Sequence, residues 1–198
     1  MVSVLGLAAA AVLLGSSAAV AQAPVDTRPH LILQTDAGNI EVELDAAHAP
    51  VTVANFLRYV DAGYYNGGEF HRTVTMSNQP DKKIKIEVVQ AGINPDHSKD
   101  EFPPIPLERT SVTGLHHLDG TLTMARDAPD SATSDFVIVI NNQPSLDFGG
   151  ARNPDGQGFA AFGHVVRGMA VVRKIQSSPA DGQSLKPPIK IIRIHRKG

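Results

Sequence analysis

The strongest constraint in this sequence is a period of two. Ile40, Val42 and Leu44 alternate with Glu41 and Glu43. Successive side chains of an extended strand point to opposite faces, so this segment has one buried face and one wet face. Leu31 to Thr35 precedes it across Asp36-Ala37-Gly38-Asn39, a turn-forming stretch that predicts a hairpin. Short apolar segments at Phe70 to Val74, Ile84 to Gln90, Thr121 to Ala125, Phe136 to Ile140 and Ala160 to Val165 predict further strands, with a closing strand around Ile189 and Ile191. Turn formers such as Asn153-Pro154-Asp155-Gly156 separate them. Pro103-Pro104 with Pro106, and Pro187-Pro188, read as rigid loop or strand-leading segments. So many short strands expose unpaired edges unless the sheet closes on itself. The pattern therefore favours an all-β dominated, closed or nearly closed antiparallel barrel.

Two segments change period. Val53, Phe56, Leu57 and Val60 fall at i, i+3, i+4 and i+7, with Pro50 suited to the first helical turn and Gly63 to the stop, which predicts a helix from Pro50 to Ala62. Met169, Val172 and Ile175 predict a second helix within Gly168 to Gln176.

The N-terminus reads as an address. Val4 to Leu14 is an unbroken run of apolar and small residues, followed by Gly15, Ser16, Ser17 and the A-x-A pattern Ala21-Gln22-Ala23. The run is shorter than the ~20 apolar residues needed to span a bilayer. Residues 1–23 are therefore expected to be a signal peptide, although no Lys or Arg precedes the run. Cleavage near Ala23 would leave 24–198 as a single domain, periplasmic or secreted, with no stable membrane insertion.

Composition removes several chemistries. With 18 Lys plus Arg against 20 Asp plus Glu, the formal charge is −2, which lacks the basic excess that nucleic acid binding requires. There is no cysteine, hence no disulfide, thiolate zinc site or thiol nucleophile. No G-x-S-x-G elbow, Gly-rich phosphate loop or H-E-x-x-H helix is present. The adjacent His116 and His117 are expected on opposite faces of a strand. No metal and no cofactor is expected.

A set of ordered blocks carries more information: Ala49-Pro50-Val51-Thr52-Val53-Ala54-Asn55-Phe56, Gly63-Tyr64-Tyr65-Asn66-Gly67 leading to Phe70-His71-Arg72, Gln90-Ala91-Gly92, Gly120-Thr121-Leu122-Thr123-Met124-Ala125-Arg126, Ser134-Asp135-Phe136-Val137-Ile138, and Phe159-Ala160-Ala161-Phe162-Gly163. Together they resemble the cyclophilin family of peptidyl-prolyl isomerases over essentially all of 31–195. The resemblance implies an eight-stranded closed antiparallel β-barrel capped by two α-helices. It also implies an extended proline-containing polypeptide bound in an outer groove, and cis/trans isomerisation of X-Pro bonds by a monomer without a cofactor.

By that resemblance Arg72 is the catalytic residue and Gln90 orients it or binds the substrate backbone. Ala125, Leu146 and Phe159 line the groove. His71, Val88, Phe136 and Val137 complete the expected substrate-binding set. The chain departs from the family pattern at several positions. A longer, polar stretch around Met76 to Lys83 separates Arg72 from Gln90 and reads as an inserted loop at the groove's edge. Glu87 stands where an aromatic residue usually packs on the proline ring, Asp135 replaces a glutamine, Val137 a phenylalanine, and Ser145 falls near a position that is often tryptophan. These changes predict a shallower and more acidic pocket, with Glu87 or Asp135 able to pair with Arg72. Two other activities stay open at this level: a proline-segment binding module or holding chaperone with little turnover, and a hydrolase using His71 as base.

Overall fold

A computed structural model describes residues 28–198; the expected signal peptide lies outside the described residues. Nine strands order as β1 (His30–Thr35), β2 (Gly38–Leu44), β7 (Ala161–Arg167), β5 (Thr121–Met124), β6 (Phe136–Val139), β4 (Val88–Gly92), β3 (Glu69–Val74), β9 (Ser184–Arg196) and β8 (Ala180–Asp181). The pairing of β1 with β9 closes eight of them into an antiparallel barrel; the two-residue β8 only folds back on the start of β9. Closure leaves no long exposed edge.

The first hairpin turns at Asp36-Ala37, with Thr35 opposite Gly38. The Thr35 hydroxyl donates to the Gly38 carbonyl at 2.6 Å and accepts from Ala37 N–H at 3.1 Å. Gly38 has φ +136°, and a Cβ there would meet Val171 of the helix Met169–Gln176 at 2.9 Å, so the turn sits directly against that helix.

Helix α1 spans Pro50–Asp61. Ala49 offers no side-chain cap. The carboxylate of Glu108 supplies one from a distant loop, accepting from Val51 N–H at 3.1 Å and Thr52 N–H at 2.7 Å, where a negative charge also suits the helix dipole. The buried face of α1 sends Phe56 onto Tyr65, Phe136 and Phe162, with ring centroids 5.2 to 5.3 Å apart. Helix α3 (Met169–Gln176) buries Val172 and Ile175. A single-turn helix, α2 (Thr110–Thr113), and 3-10 turns at Pro95–His97 and Pro144–Leu146 add to the two expected helices.

The barrel interior is a packed core. A second, smaller apolar cluster lies on the other side of the wall: Val74, Ile86, Val88, Val137, Val139 and Leu146, flanked by Ala125 and Phe159. Strands β4 and β6 separate the two, since Val89 and Ile138 face the core while Val88, Val137 and Val139 face the outer cluster.

Three expectations need correction. Strand β4 begins at Val88 and not at Ile84, because Gln79 holds the preceding chain in a loop: its Nε2 donates to the carbonyls of Thr75 and Ile86, both at 2.7 Å. Pro187 and Pro188 lie within β9, where the ladder with β3 breaks: Ile189 pairs with Phe70 and Ser184 with Arg72. Residues without a free N–H fit such a bulge. His116 and His117 are not on a strand, and both rings meet Asp147, at 2.9 and 2.5 Å.

Candidate active site

Strand β3 would put Phe70 and Arg72 on the same face if it were regular. It is not regular. Phe70 pairs with Ala91 and Arg72 with Gln90, so two steps along β3 match one along β4 and His71 is the extra residue. The bulge turns the strand. Phe70 stays fully buried in the barrel core, while Arg72 faces outward over the second apolar cluster.

There Arg72 lines a groove of about 450 Å³ together with Val88, Gln90, Ala125, Val137, Leu146 and Phe159. Seven of the nine side chains expected from sequence therefore converge. The other two do not. Phe136 is completely buried against Phe56, Tyr65 and Phe70, because it alternates with Val137 and so belongs to the inner face of β6. His71 lines an adjacent depression, with its Nε2 3.6 Å from an Asp135 oxygen; the bulge directs it away from the groove.

The Arg72 guanidinium is held entirely by neutral groups. Nη1 donates to Gln90 Oε1 at 2.9 Å, and Nε and Nη2 donate to Gln183 Oε1 at 2.9 and 2.6 Å. No carboxylate of the described residues lies within 4.0 Å of it. Burial lowers its pKa from the ordinary arginine value, and a guanidinium still keeps its charge across physiological pH. Gln90 in turn donates from Nε2 to Asp135 Oδ2 at 2.8 Å, which fixes its amide orientation. Burial raises the Asp135 pKa above the usual carboxylate value, against the hydrogen bond from Gln90 and the neighbouring His71. Gly92 closes this cluster, since a Cβ there would collide with the Asp135 carboxylate.

The departures from the family pattern resolve unevenly. Glu87 points away from the groove; its Oε2 accepts from Asn141 Nδ2 at 2.7 Å. Ile86 takes a place in the groove wall instead, because residues two apart share a face and Val88 already faces the groove. Neither Glu87 nor Asp135 pairs with Arg72. Ser145 is turned away by the 3-10 turn that drives Leu146 inward, and its carbonyl accepts from Arg152 N–H at 3.1 Å. Acidity comes from Asp135 with Glu101 and Asp127 at the groove rim.

Beneath Phe159, Arg126 is almost fully buried with its guanidinium 5.0 Å from the ring centroid. It is neutralised by Asp155 through two bonds of 2.7 and 3.0 Å. On the floor, the Thr123 hydroxyl engages His117 Nε2 at 3.0 Å, and His117 Nδ1 engages Asp147 at 2.5 Å. Burial raises the Asp147 pKa, but the hydrogen bonds from His117 and His116 outweigh it and hold the carboxyl below its usual range. This relay joins β5 to the loop carrying Leu146.

Sequence reasoning missed Gln183, Arg152 and Ile86. A glutamine in Asp181-Gly182-Gln183 carries no local signal, and it reaches Arg72 only because β9 bulges at its prolines. Among the described residues no cluster of three or more metal-ligating side chains occurs, and no described helix is long and apolar enough to cross a membrane.

Residues 30–196 match the family described as cyclophilin type peptidyl-prolyl cis-trans isomerase/CLD. The chain is 39% identical over 150 residues to peptidyl-prolyl cis-trans isomerase A of Dickeya dadantii, covering 75% of this chain and 72% of that protein. It is 36% identical over 171 residues to a peptidyl-prolyl cis-trans isomerase of Acinetobacter baylyi, covering 83% and 84%. A crystal structure of a Cryptosporidium parvum cyclophilin-type isomerase superposes with a TM-score of 0.70 at 20% identity, covering 86% of this chain and 98% of that one.

Proposed function

The chain belongs to the cyclophilin-type peptidyl-prolyl cis-trans isomerases, and from that premise we propose that it rotates X-Pro amide bonds with Arg72 as the catalytic residue. An amide resists rotation by about 18–20 kcal/mol because its nitrogen lone pair is delocalised, which makes uncatalysed X-Pro isomerisation slow. As the bond twists, the lone pair localises on the prolyl nitrogen and becomes a hydrogen-bond acceptor. A cation fixed beside it stabilises that state and not the planar one. No proton is transferred and no cofactor takes part.

The observation that carries this reading is the set of partners around Arg72. Gln90 and Gln183 orient the guanidinium without cancelling its charge, and the apolar cluster beside it provides a surface for a proline ring. The twisted amide has less charge separation than the planar one, so an apolar surrounding favours it relative to water. An acceleration of about 10⁵ corresponds to about 7 kcal/mol. One hydrogen bond to a charged group supplies about 1.5–3 kcal/mol. Preorganisation of the groove and tighter grip on the twisted backbone supply the remainder.

The substrates we propose are proline-containing polypeptides on the export side of a membrane. The apolar run Val4 to Leu14 and the Ala21-Gln22-Ala23 pattern support cleavage near Ala23 and release to the periplasm or medium. The near-neutral charge supports a protein that acts on polypeptides and leaves nucleic acid alone.

Exchange spectroscopy on a short X-Pro peptide tests the assignment. Catalytic amounts of the chain should exchange cis and trans signals, and Arg72→Ala should abolish most of that exchange while peptide affinity changes less. Equal loss of both, or binding without exchange by the unmodified chain, would favour a proline-segment binding module or holding chaperone.

A further inference from the structure

Arg152 lines the same groove as Arg72. It sits on the loop between Leu146 and Phe159, and its Nη1 donates to the Ile84 carbonyl at 2.7 Å. Like Arg72, it has no carboxylate of the described residues within 4.0 Å. Burial lowers its pKa from the ordinary value, and the charge of Arg72 lowers it further. Two like charges thus share one cleft, each hydrogen-bonded to neutral oxygens alone among the described residues. Arg126, the third arginine of the groove, shows the contrast: Asp155 neutralises it.

Two of the groove's three carboxylates, Asp135 and Glu101, lie beyond Gln90, while Asp127 follows Arg126 in the chain. Gln90 spans the distance, with Oε1 on Arg72 and Nε2 on Asp135. Beyond it Glu101 accepts from the hydroxyls of Ser134 and Thr133, so its charge is solvated but not cancelled. Along β4, Ile84 and Ile86 lead in from the Arg152 side and Gly92 abuts Asp135. The strand from Val88 to Gly92 alone covers roughly 13 Å, the span of about four extended residues. A bound extended segment therefore meets opposite potentials on its two flanks.

We infer that Arg152 is a specificity-determining residue, and that this groove selects proline segments bearing an acidic side chain on the flank that lies over Arg152 and Arg72. The inference rests on the groove being the substrate site proposed above. A carboxylate placed there meets an unpaired, partly desolvated guanidinium able to bind it through two parallel N–H groups. A lysine in the same place meets two like charges. Exchanging the flanks reverses both contacts without changing composition or net charge.

That symmetry gives the test. The capped peptides Glu-Ala-Pro-Ala-Lys and Lys-Ala-Pro-Ala-Glu are compared with the full chain by exchange spectroscopy, and their kcat/KM values are divided. One peptide should exceed the other about fivefold at low salt. The ratio should shrink toward one as salt rises to about 1 M, where the Debye length is about 3 Å. Arg152→Lys should keep the direction of the ratio, Arg152→Gln should lower it toward one with Arg72 and the acidic flank still in place, and Arg152→Glu should invert it. A purely structural role, fastening the loop to Ile84, predicts no inversion. Equal kcat/KM for the two peptides, or a ratio unchanged by Arg152→Gln and Arg152→Glu, overturns the inference. Should no peptide exchange, the isomerase reading fails by itself. The same ratio is then read from affinities by chemical-shift titration, where equality again refutes the selectivity.

Discussion

Two N–H groups of Arg72, on Nε and Nη2, converge on a single oxygen, Oε1 of Gln183, at 2.9 and 2.6 Å. The amide of Gln183 is itself fixed, since Nε2 donates to the Asn78 carbonyl at 3.2 Å and the Gln183 backbone carbonyl accepts from Thr73 N–H at 2.9 Å. The guanidinium plane is thereby set from one side by the turn between β8 and β9 and from the other by Gln90.

Removing that support should slow turnover more than it weakens binding. Gln183→Ala is expected to lower the saturated exchange rate by about 10- to 100-fold, the value of one hydrogen bond to a charged group, with a smaller change in KM. Gln183→Glu should also be slow, because an ion pair would cancel the charge that the prolyl nitrogen needs. A Gln183→Ala rate within twofold of the unmodified chain would show that Gln90 alone suffices.

Arg72→Lys should behave like Arg72→Ala and not like the unmodified chain. A lysine retains charge but cannot reach two glutamine amides and a third acceptor in one plane. Saturated exchange rates for the three proteins decide this; recovery by lysine would mean that charge alone suffices.

The exchange rate should be level from about pH 6 to 8, the window in which histidines titrate, and His71→Gln should preserve it within a few-fold. His71 lies outside the groove, with its ring against Asp135. A bell-shaped profile that disappears in His71→Gln would restore the hydrolase-type base.

Acid stability should report the Arg126 pair. Asp155 has its pKa lowered to about 2 by its hydrogen bond to Arg126. A carboxyl depressed in the folded state contributes stability that is present above its ordinary pKa, near 4, and disappears as pH falls toward 2. Melting temperatures measured across that interval should fall steeply for the unmodified chain. Asp155→Asn should start lower and lose that part of the slope, since Arg126 stays buried beneath Phe159 with only the Gly158 carbonyl to receive it.

Phe136→Ala should cost about 3–5 kcal/mol in denaturant unfolding, as expected for a large aromatic removed from a packed interior. Phe136 is wholly enclosed by the rings of Phe56, Tyr65 and Phe70. A loss below about 1 kcal/mol would place its side chain in the groove after all.

Much of this architecture was legible because it is periodic. The alternation of Ile40, Val42 and Leu44 and the helical spacing of Val53, Phe56 and Val60 each state which face is buried, and the structure buries those faces. The groove was legible by resemblance at Arg72, Gln90 and Val137. It failed at Phe136, which plain alternation with Val137 puts on the inner face of β6, and at His71, where the ladder of β3 is interrupted. A bulge at His71 changes which neighbours share a face, and no residue type announces it. The segment after Thr75 hides a buried glutamine, Gln79, whose composition reads as surface loop but whose amide holds the backbone on both sides. Gln183 lies 111 residues from Arg72, and only the closure of the barrel brings them together.

Adjacent residues of β6 belong to opposite sides of the wall, Phe136 and Ile138 to the interior, Val137 and Val139 to the cleft. One added or deleted residue there would exchange the two sets, emptying the core and plugging the cleft in a single event. Descendants of this chain can therefore acquire new appetites by swapping valines at constant strand length, or by letting the stretch between Thr75 and Glu87 grow. Slippage of β6 itself is a route closed to them.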